Sequence, residues 1–248
     1  QSKTILEEEI AQILQKEDLD PVLKATGLWH LGNAQRQFGE LKASQKNLQK
    51  SLAIASTLQL QRLRSSVLLD LGNTERALSN SVSAIGKKEE ALDYRNMALA
   101  AYQEVANSQF SVSQSVFINQ VQANLNRLSF LIDVEDWSEV QPLWPDLLST
   151  ITELPPSRKA IYAQLNFANS LAKVMQAADS QQADQGTELT WQQIDALLVR
   201  AIQQAQNLND PIAESYGVGQ RGELYEILGQ WSQAQTLTQQ ALWLTNKT

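Results

Sequence analysis

A motif of one small residue followed by one polar residue recurs along this 248-residue chain and constrains its fold more than any other feature. The five copies are Gly32/Asn33, Gly72/Asn73, Ala123/Asn124, Ala168/Asn169 and Gly222/Glu223. In three copies an arginine follows the asparagine at the same offset, as in GNAQR, GNTER and ANLNR. A marker that returns in this way predicts a chain of similar structural units stacked on one another.

A second marker follows each of four copies and indicates a turn. It reads GELKAS from Gly39, GKKEEA from Gly86, EDWSEV from Glu135 and GQWSQA from Gly229. Glycine at such a corner supplies the positive φ that ends a helix. The small residue of the first marker allows a second helix to approach the first closely. Together the two markers predict pairs of tightly packed helices.

The remaining pattern is helical throughout. The chain has only 10 glycines and 6 prolines, and its apolar residues recur at helical spacing rather than alternating. We predict an all-α protein of about eleven antiparallel helices, the first of them lined by Ile5, Ile10, Ile13 and Leu14 and ended before Pro21. One polar segment, DSQQADQGTELT at residues 179–190, is predicted to be a surface loop between two helices.

The two markers divide the chain into five units of one domain, residues 1–248. Their predicted bounds are roughly 20–58, 59–106, 110–153, 156–207 and 210–246. The motif copies lie 40 to 54 residues apart. The excess length falls in the first helix of the middle units and in the polar loop.

The spacing of small residue, glycine corner and following alanine resembles the tetratricopeptide (TPR) repeat. The last copy, GELYEILGQWSQAQTLTQQAL at residues 222–242, fits that pattern at nearly every helix-packing position. TPR units are usually about 34 residues long, so the units here are lengthened. The resemblance implies a right-handed α-solenoid in which the first helix of each pair lines the concave side.

Three stretches also resemble the repeat regions that precede CHAT domains in bacterial proteins: LLDLGNTERAL, KKEEALDYRNMALAAYQ and the terminal GELYEILGQWSQAQTLTQQAL. CHAT domains are caspase-like peptidases and need a catalytic histidine and cysteine. This chain has no cysteine and a single histidine, His30, so the resemblance implies that any such catalysis lies in an attached domain.

Composition excludes several classes of function. The net charge of −7 argues against a general nucleic-acid binder. The apolar runs are too short to span a bilayer. No nucleophile, base and metal ligands occur together in a recognisable motif, and a lone histidine is typical of packing or the surface. We therefore expect no enzyme activity, no catalytic or metal-binding residues and no cofactor.

The TPR resemblance implies that the polar markers form a stripe along the concave groove. Asparagine offers a donor and an acceptor to a peptide backbone, and arginine offers a fork for carboxylates. Three readings stay open: the stripe binds a peptide, binds a small ligand, or only joins neighbouring helices. The candidate groove residues are Trp29, Asn33, Arg36, Asn73, Arg76, Phe117, Asn124, Arg127, Tyr162, Asn169, Lys173 and Tyr216.

The leading functional hypothesis is a protein–protein interaction or scaffold module. Its partner would be a protein or peptide segment, including an attached C-terminal effector domain of the same polypeptide. The alternative is a regulatory sensor, in which the array binds a small ligand or peptide signal and controls that domain. Leu237, Ala241 and Leu242 of the last helix are expected to lie uncovered, so we also expect the natural chain to continue beyond Thr248.

Overall fold

The computed structural model describes residues 18–108, 114–180 and 189–246. Across these ranges the chain forms ten α-helices and no strand. They are α1 Pro21–Gln37, α2 Leu41–Thr57, α3 Gln61–Ala84, α4 Lys88–Ala106, α5 Gln114–Asp133, α6 Trp137–Thr152, α7 Arg158–Asp179, α8 Trp191–Asn207, α9 Pro211–Ile227 and α10 Trp231–Thr245. Within these ranges, no helix combines the length and the apolar character that crossing a bilayer requires.

Two sequence predictions fall outside these ranges in whole or in part. The helix predicted from Ile5 to Leu14 lies outside the described residues, as do residues 181–188 of the predicted polar loop. Each of the five predicted units contains two of the ten helices.

The starts of α1 and α9 are set by local capping chemistry. Asp20 accepts hydrogen bonds from the backbone N–H groups of Val22 and Leu23 at 2.9 and 3.0 Å, and Pro21 fills the first helical position of α1. The same Asp-Pro pair opens α9, where Asp210 caps the helix. Aspartate satisfies the free N–H groups of a first turn, and proline has none to satisfy there. The starts of these two helices are therefore encoded by residues next to them in the sequence.

The glycine corners predicted from the second marker are confirmed. Gly39, Gly86 and Gly229 have φ values of 79°, 80° and 69°, in the left-handed region. Glu135 takes the same conformation, with φ 58°, at the corner between α5 and α6. A side chain bearing a Cβ is strained in this region, whereas glycine is not.

Contacts divide the chain into two compact units, Gln1–Arg127 and Leu128–Thr248. In the first unit α1 packs on α2, α2 on α3 and α3 on α4, and α1 also meets α3. In the second unit the chain of contacts runs from α6 to α10, and α7 also meets α9. Packing of each helix on its neighbours in sequence is that of an all-α solenoid, the predicted fold class.

The small residues of the first marker lie where helices approach most closely. A Cβ added at Gly32 would stand 2.7 Å from Leu48 Cγ, across the contact between α1 and α2. A Cβ added at Gly72 would stand 2.6 Å from Tyr102 Cε1, across the contact between α3 and α4. Both distances are shorter than side-chain packing tolerates, so these positions require glycine.

The last helix is better covered than the sequence suggested. Leu237 and Ala241 pack, partly buried, against a cluster that contains Val218 and Leu244, so the expectation that they lie uncovered is wrong. They share one face of α10, four residues apart, and that face contacts α9. Leu242 lies on another face and is 61% exposed, as expected.

Candidate functional site

In the first unit, three predicted groove residues converge on one carboxylate that the sequence analysis did not single out. Trp29, Asn33 and Arg36 lie on one face of α1. The Trp29 Nε1–H and the Asn33 Nδ2–H each donate to Asp70 Oδ2 of α3, both at 2.7 Å. Arg36 Nη2 lies 3.8 Å from Asp70 Oδ1. These side chains join α1 to α3.

The next copy of the marker is also engaged between helices. Asn73 Oδ1 accepts hydrogen bonds from Tyr102 Oη at 3.0 Å and from Asn126 Nδ2 at 2.7 Å. Tyr102 is fully buried, and this burial raises the pKa of its phenol, an effect that the nearby Arg76 and Arg36 oppose. Arg76 also hydrogen-bonds the Tyr102 side chain. The arrangement joins α3 to α4 and α5.

The other predicted groove residues of the first unit lie on α5, away from the hydrogen bonds of Asp70. Phe117 is 44% exposed on α5, and Asn124 is half-buried there. Arg127 is half-buried and interacts with a neighbour. The asparagine of α5 that meets Asn73 is Asn126, two positions after the predicted Asn124.

A buried carboxylate lies near these side chains. Glu75 of α3 is 2% exposed, and its Oε1 accepts a hydrogen bond of 2.8 Å from Gln45 Nε2 of α2. Its Oε2 is buried and has no hydrogen-bond partner among the described residues. Burial raises the pKa of Glu75, while Gln45 and the Lys42 ammonium act in the opposite direction.

The second unit contains a pocket of about 190 Å³ that is lined by α7, α8 and α9 and open to solvent on one side. Two of the predicted groove residues, Asn169 and Lys173 of α7, line it. Gln220 and Glu223 line it from α9, and Glu223 is the polar residue of the fifth marker. The apolar side chains of the pocket are those of Ala168, Ala172, Ile194, Leu198, Leu224 and Ile227.

The polar side chains around this pocket differ in whether their atoms have hydrogen-bond or ion-pair partners. Lys173 Nζ pairs with Asp133 Oδ1 at 3.1 Å. Gln220 is 8% exposed, and its Oε1 has no hydrogen-bond partner among the described residues. Glu223 is exposed on the same face of α9, three residues further on. The pocket therefore presents two hydrogen-bond acceptors from one helix.

The two tyrosines predicted to face the groove meet each other in the second unit. The rings of Tyr162 in α7 and Tyr216 in α9 lie 6.1 Å apart at 37°. Tyr162 precedes Asn169 by two helical turns, and Tyr216 precedes Gln220 by about one turn. Tyr162 and Tyr216 therefore lie on α7 and α9, two of the three helices that line the pocket.

The position of α9 is fixed by a bidentate ion pair. Arg221 Nε and Nη2 donate to the two carboxylate oxygens of Asp195 in α8, at 2.6 and 3.0 Å. Such a pair holds two helices at a defined separation and rotation. The pocket wall that carries Gln220 and Glu223 is thus held in register with α8.

The chain is similar in structure to BtubC (BKLC) from P. vanneervenii. The similarity covers 99% of this chain and 89% of that one, with a TM-score of 0.59 and 14% sequence identity. At this identity the similarity concerns the fold alone. No protein-family model matches the sequence, and no curated protein is significantly similar to it.

Proposed function

We propose that this chain is a protein–protein interaction module in which the groove between α7 and α9 binds a segment of a partner. The observation that carries the proposal is the pocket itself, with its apolar interior and its polar residues from both helices. Peptides bind helical arrays by placing side chains in such grooves, and polar groups at the rim hold the backbone. Tyr162 and Tyr216 extend the groove beside the pocket.

The proposal includes a TPR-like character for the array and a connection to an effector. The close approaches at Gly32 and Gly72 and the corners at Gly39, Gly86 and Gly229 support the repeat. The resemblance to the regions ahead of CHAT domains supports a partner segment in an attached effector domain. A segment of the same polypeptide would bind at high effective concentration, so a modest intrinsic affinity is sufficient.

The first unit contributes less to binding in this proposal than the sequence suggested. Trp29 and Asn33 bond Asp70, and Asn73 bonds Tyr102 and Asn126. Replacing these bonds with contacts to a peptide would leave buried polar groups without partners, at about 1–3 kcal/mol each. We therefore assign the stripe in the first unit to joining helices and place the binding site at the pocket of the second.

Peptide selection tests the proposal. Random peptides displayed on phage are selected on the purified chain and on two variants of α7. Ala172→Trp fills the pocket, because Ala172 lines it. Asn166→Trp adds the same side chain at an exposed position of α7 outside the pocket. We expect enriched peptides that bind the chain and Asn166→Trp but not Ala172→Trp.

Two results would contradict the proposal. One is the absence of any enrichment on the unmodified chain. The other is enrichment of peptides that bind Ala172→Trp as tightly as the unmodified chain. Circular dichroism of both variants establishes that a loss of binding is not a loss of helix.

The second candidate function is a regulatory sensor, and the observation that favours it is the combination of polar and apolar side chains that line the pocket. A small ligand in excess over its dissociation constant stabilises the folded state by a few kcal/mol. A thermal-shift screen of small molecules on the chain and on Ala172→Trp therefore distinguishes the two functions. Pockets for drug-sized ligands are about 300–1,000 Å³. The pocket of about 190 Å³ fits one side chain better, which favours the peptide.

A further inference from the structure

The two compact units differ sharply in charge. Residues 128–248 contain 14 acidic and 6 basic side chains, whereas residues 1–127 contain 13 acidic and 14 basic ones. The negative charge of the chain therefore belongs almost entirely to the unit that contains the pocket. A field of one sign attracts partners of the opposite sign and raises their local concentration.

The α9 wall of the pocket is also rich in groups that attract positive charge. Gln220 Oε1 is buried and lacks a hydrogen-bond donor among the described residues, and Glu223 adds a carboxylate three residues away. A buried acceptor without a donor is costly, so a ligand that supplies an N–H group gains by binding there. Both acceptors lie on α9, so a ligand needs more than one N–H donor to bond to both of them.

Lys173 is the one cationic side chain that lines the pocket. Its ammonium pairs at 3.1 Å with Asp133, which lies in the same unit, so that carboxylate offsets its charge. Glu223 has no such cation, since none of the ion pairs found among the described residues involves it. The residual charge of the pocket is negative.

We propose that the pocket binds an arginine side chain of the partner segment. The aliphatic stem of arginine suits the apolar interior, where Ile194, Leu198 and Leu224 lie. Its guanidinium carries five N–H donors in a fork, enough to serve Gln220 Oε1 and the Glu223 carboxylate together. Lysine supplies a point charge and matches two acceptors less well. This inference rests on the proposed function and specifies the chemistry of its ligand.

The test uses short synthetic peptide libraries with randomised flanking positions and one fixed central residue. That residue is arginine, citrulline, norleucine or glutamate, and binding to the full chain is measured by fluorescence anisotropy. Citrulline retains the length and several donors of arginine but not its charge. We expect the arginine library to bind at least about tenfold tighter than the citrulline library, because charge-assisted hydrogen bonds are the stronger kind.

Two substitutions on α9 provide a matched pair. Glu223→Gln removes a carboxylate that lines the pocket, and Glu226→Gln removes an exposed carboxylate of the same helix that does not. We expect Glu223→Gln to reduce the preference for arginine over citrulline about tenfold, and Glu226→Gln to leave it nearly unchanged. Both variants change the net charge equally, so the difference between them reports on the pocket.

A third variant tests the buried amide. Gln220→Met removes the acceptor and retains the volume, so we expect weaker binding of the arginine library with no loss of thermal stability in the free chain. A protein in which the amide serves only the fold would instead lose stability and keep its arginine preference. That result would overturn the proposal.

The remaining outcomes separate this inference from the proposed function. If the norleucine or glutamate library binds best, or if all four bind equally, the arginine site is wrong and the peptide groove stands. If no library binds, both are wrong. An arginine preference that Glu223→Gln and Gln220→Met leave intact would also overturn the inference.

Discussion

A single carboxylate, Asp70, organises the polar contacts between α1 and α3. It accepts hydrogen bonds from Trp29 and Asn33 and lies near the Arg36 guanidinium. Three neighbours of different chemistry thus depend on one side chain. Loss of Asp70 would therefore remove the shared partner of three side chains at once.

We expect Asp70→Ala to lower the free energy of unfolding by about 2 kcal/mol, because it leaves the Trp29 and Asn33 donors without an acceptor in a partly buried site. Urea unfolding followed by circular dichroism measures this change. Asp93→Ala, which removes an exposed aspartate of α4, is the control and should alter stability by less than about 0.5 kcal/mol. Equal effects for the two variants would contradict the structural role of Asp70.

Glu75 predicts a dependence of stability on pH. Burial raises its pKa in the folded state above its ordinary value of 4.5. Protonated Glu75 is therefore favoured by folding, and its contribution to stability is complete below pH 4.5 and lost as the pH rises through the folded-state pKa. Glu75→Gln mimics the protonated form, so it should be more stable than the unmodified chain at pH 7.

Unfolding curves recorded from pH 4 to pH 7 check this prediction. The stability advantage of Glu75→Gln should be largest at the upper end and shrink as Glu75 becomes protonated. Asp93→Asn, at an exposed position of α4, controls for a general effect of removing an acid. An advantage that does not vary with pH would show that titration of Glu75 is not its cause.

At the scale of helices and turns, the corners offer a pair of opposite substitutions. Gly39 and Glu135 both have positive φ, and a Cβ at Gly39 would meet nothing within 4 Å. We expect Gly39→Ala to destabilise the chain by about 1 kcal/mol through the backbone alone. Glu135→Gly should stabilise it by up to about 1 kcal/mol for the same reason.

Thermal unfolding of the two variants and of the double variant measures these effects. The corners lie far apart in sequence and belong to different compact units, so the two changes should add. If Gly39→Ala were neutral, positive φ would not be what requires glycine at the corner.

The sequence predicts the elements well and their side-chain partners poorly. The corners at Gly39, Gly86 and Gly229 and the close approach at Gly32 follow from local rules, because each depends on a residue and its own backbone. The partners Asp70 and Asn126 depend instead on the rotation of one helix against another. The sequence pattern singled out Asn124 of α5, whereas the structure shows Asn126 donating to Asn73.

The pocket also shows that the sequence predicts single residues better than the side chains they meet. Asn169 and Lys173 were predicted from the polar marker, and both line it. Gln220 was not predicted, since a glutamine within a helix carries no sequence signal of its own. Only the packing of α7, α8 and α9 reveals that its amide oxygen is buried and lacks a donor.

At the scale of the whole chain, the uneven distribution of charge predicts how binding depends on salt. The Debye length falls from about 30 Å at 0.01 M to about 8 Å at physiological ionic strength. We expect the association rate of an arginine peptide to fall about tenfold over this range, because its attraction to the acidic second unit is screened. Stopped-flow fluorescence measures the rate, and the citrulline peptide, with the same flanks, should show a smaller fall.

The packing of helices on their neighbours in sequence also bears on how the chain folds. The hydrogen bond between Asn119 and Ser65, for example, spans 54 residues and joins adjacent predicted units. Helices that pack on their neighbours in sequence give a low contact order, which favours fast pairing of each helix with the next. Each helix pair therefore finds its partners soon after it leaves the ribosome, and we expect α1 to α4 to fold while the acidic second unit is still being synthesised.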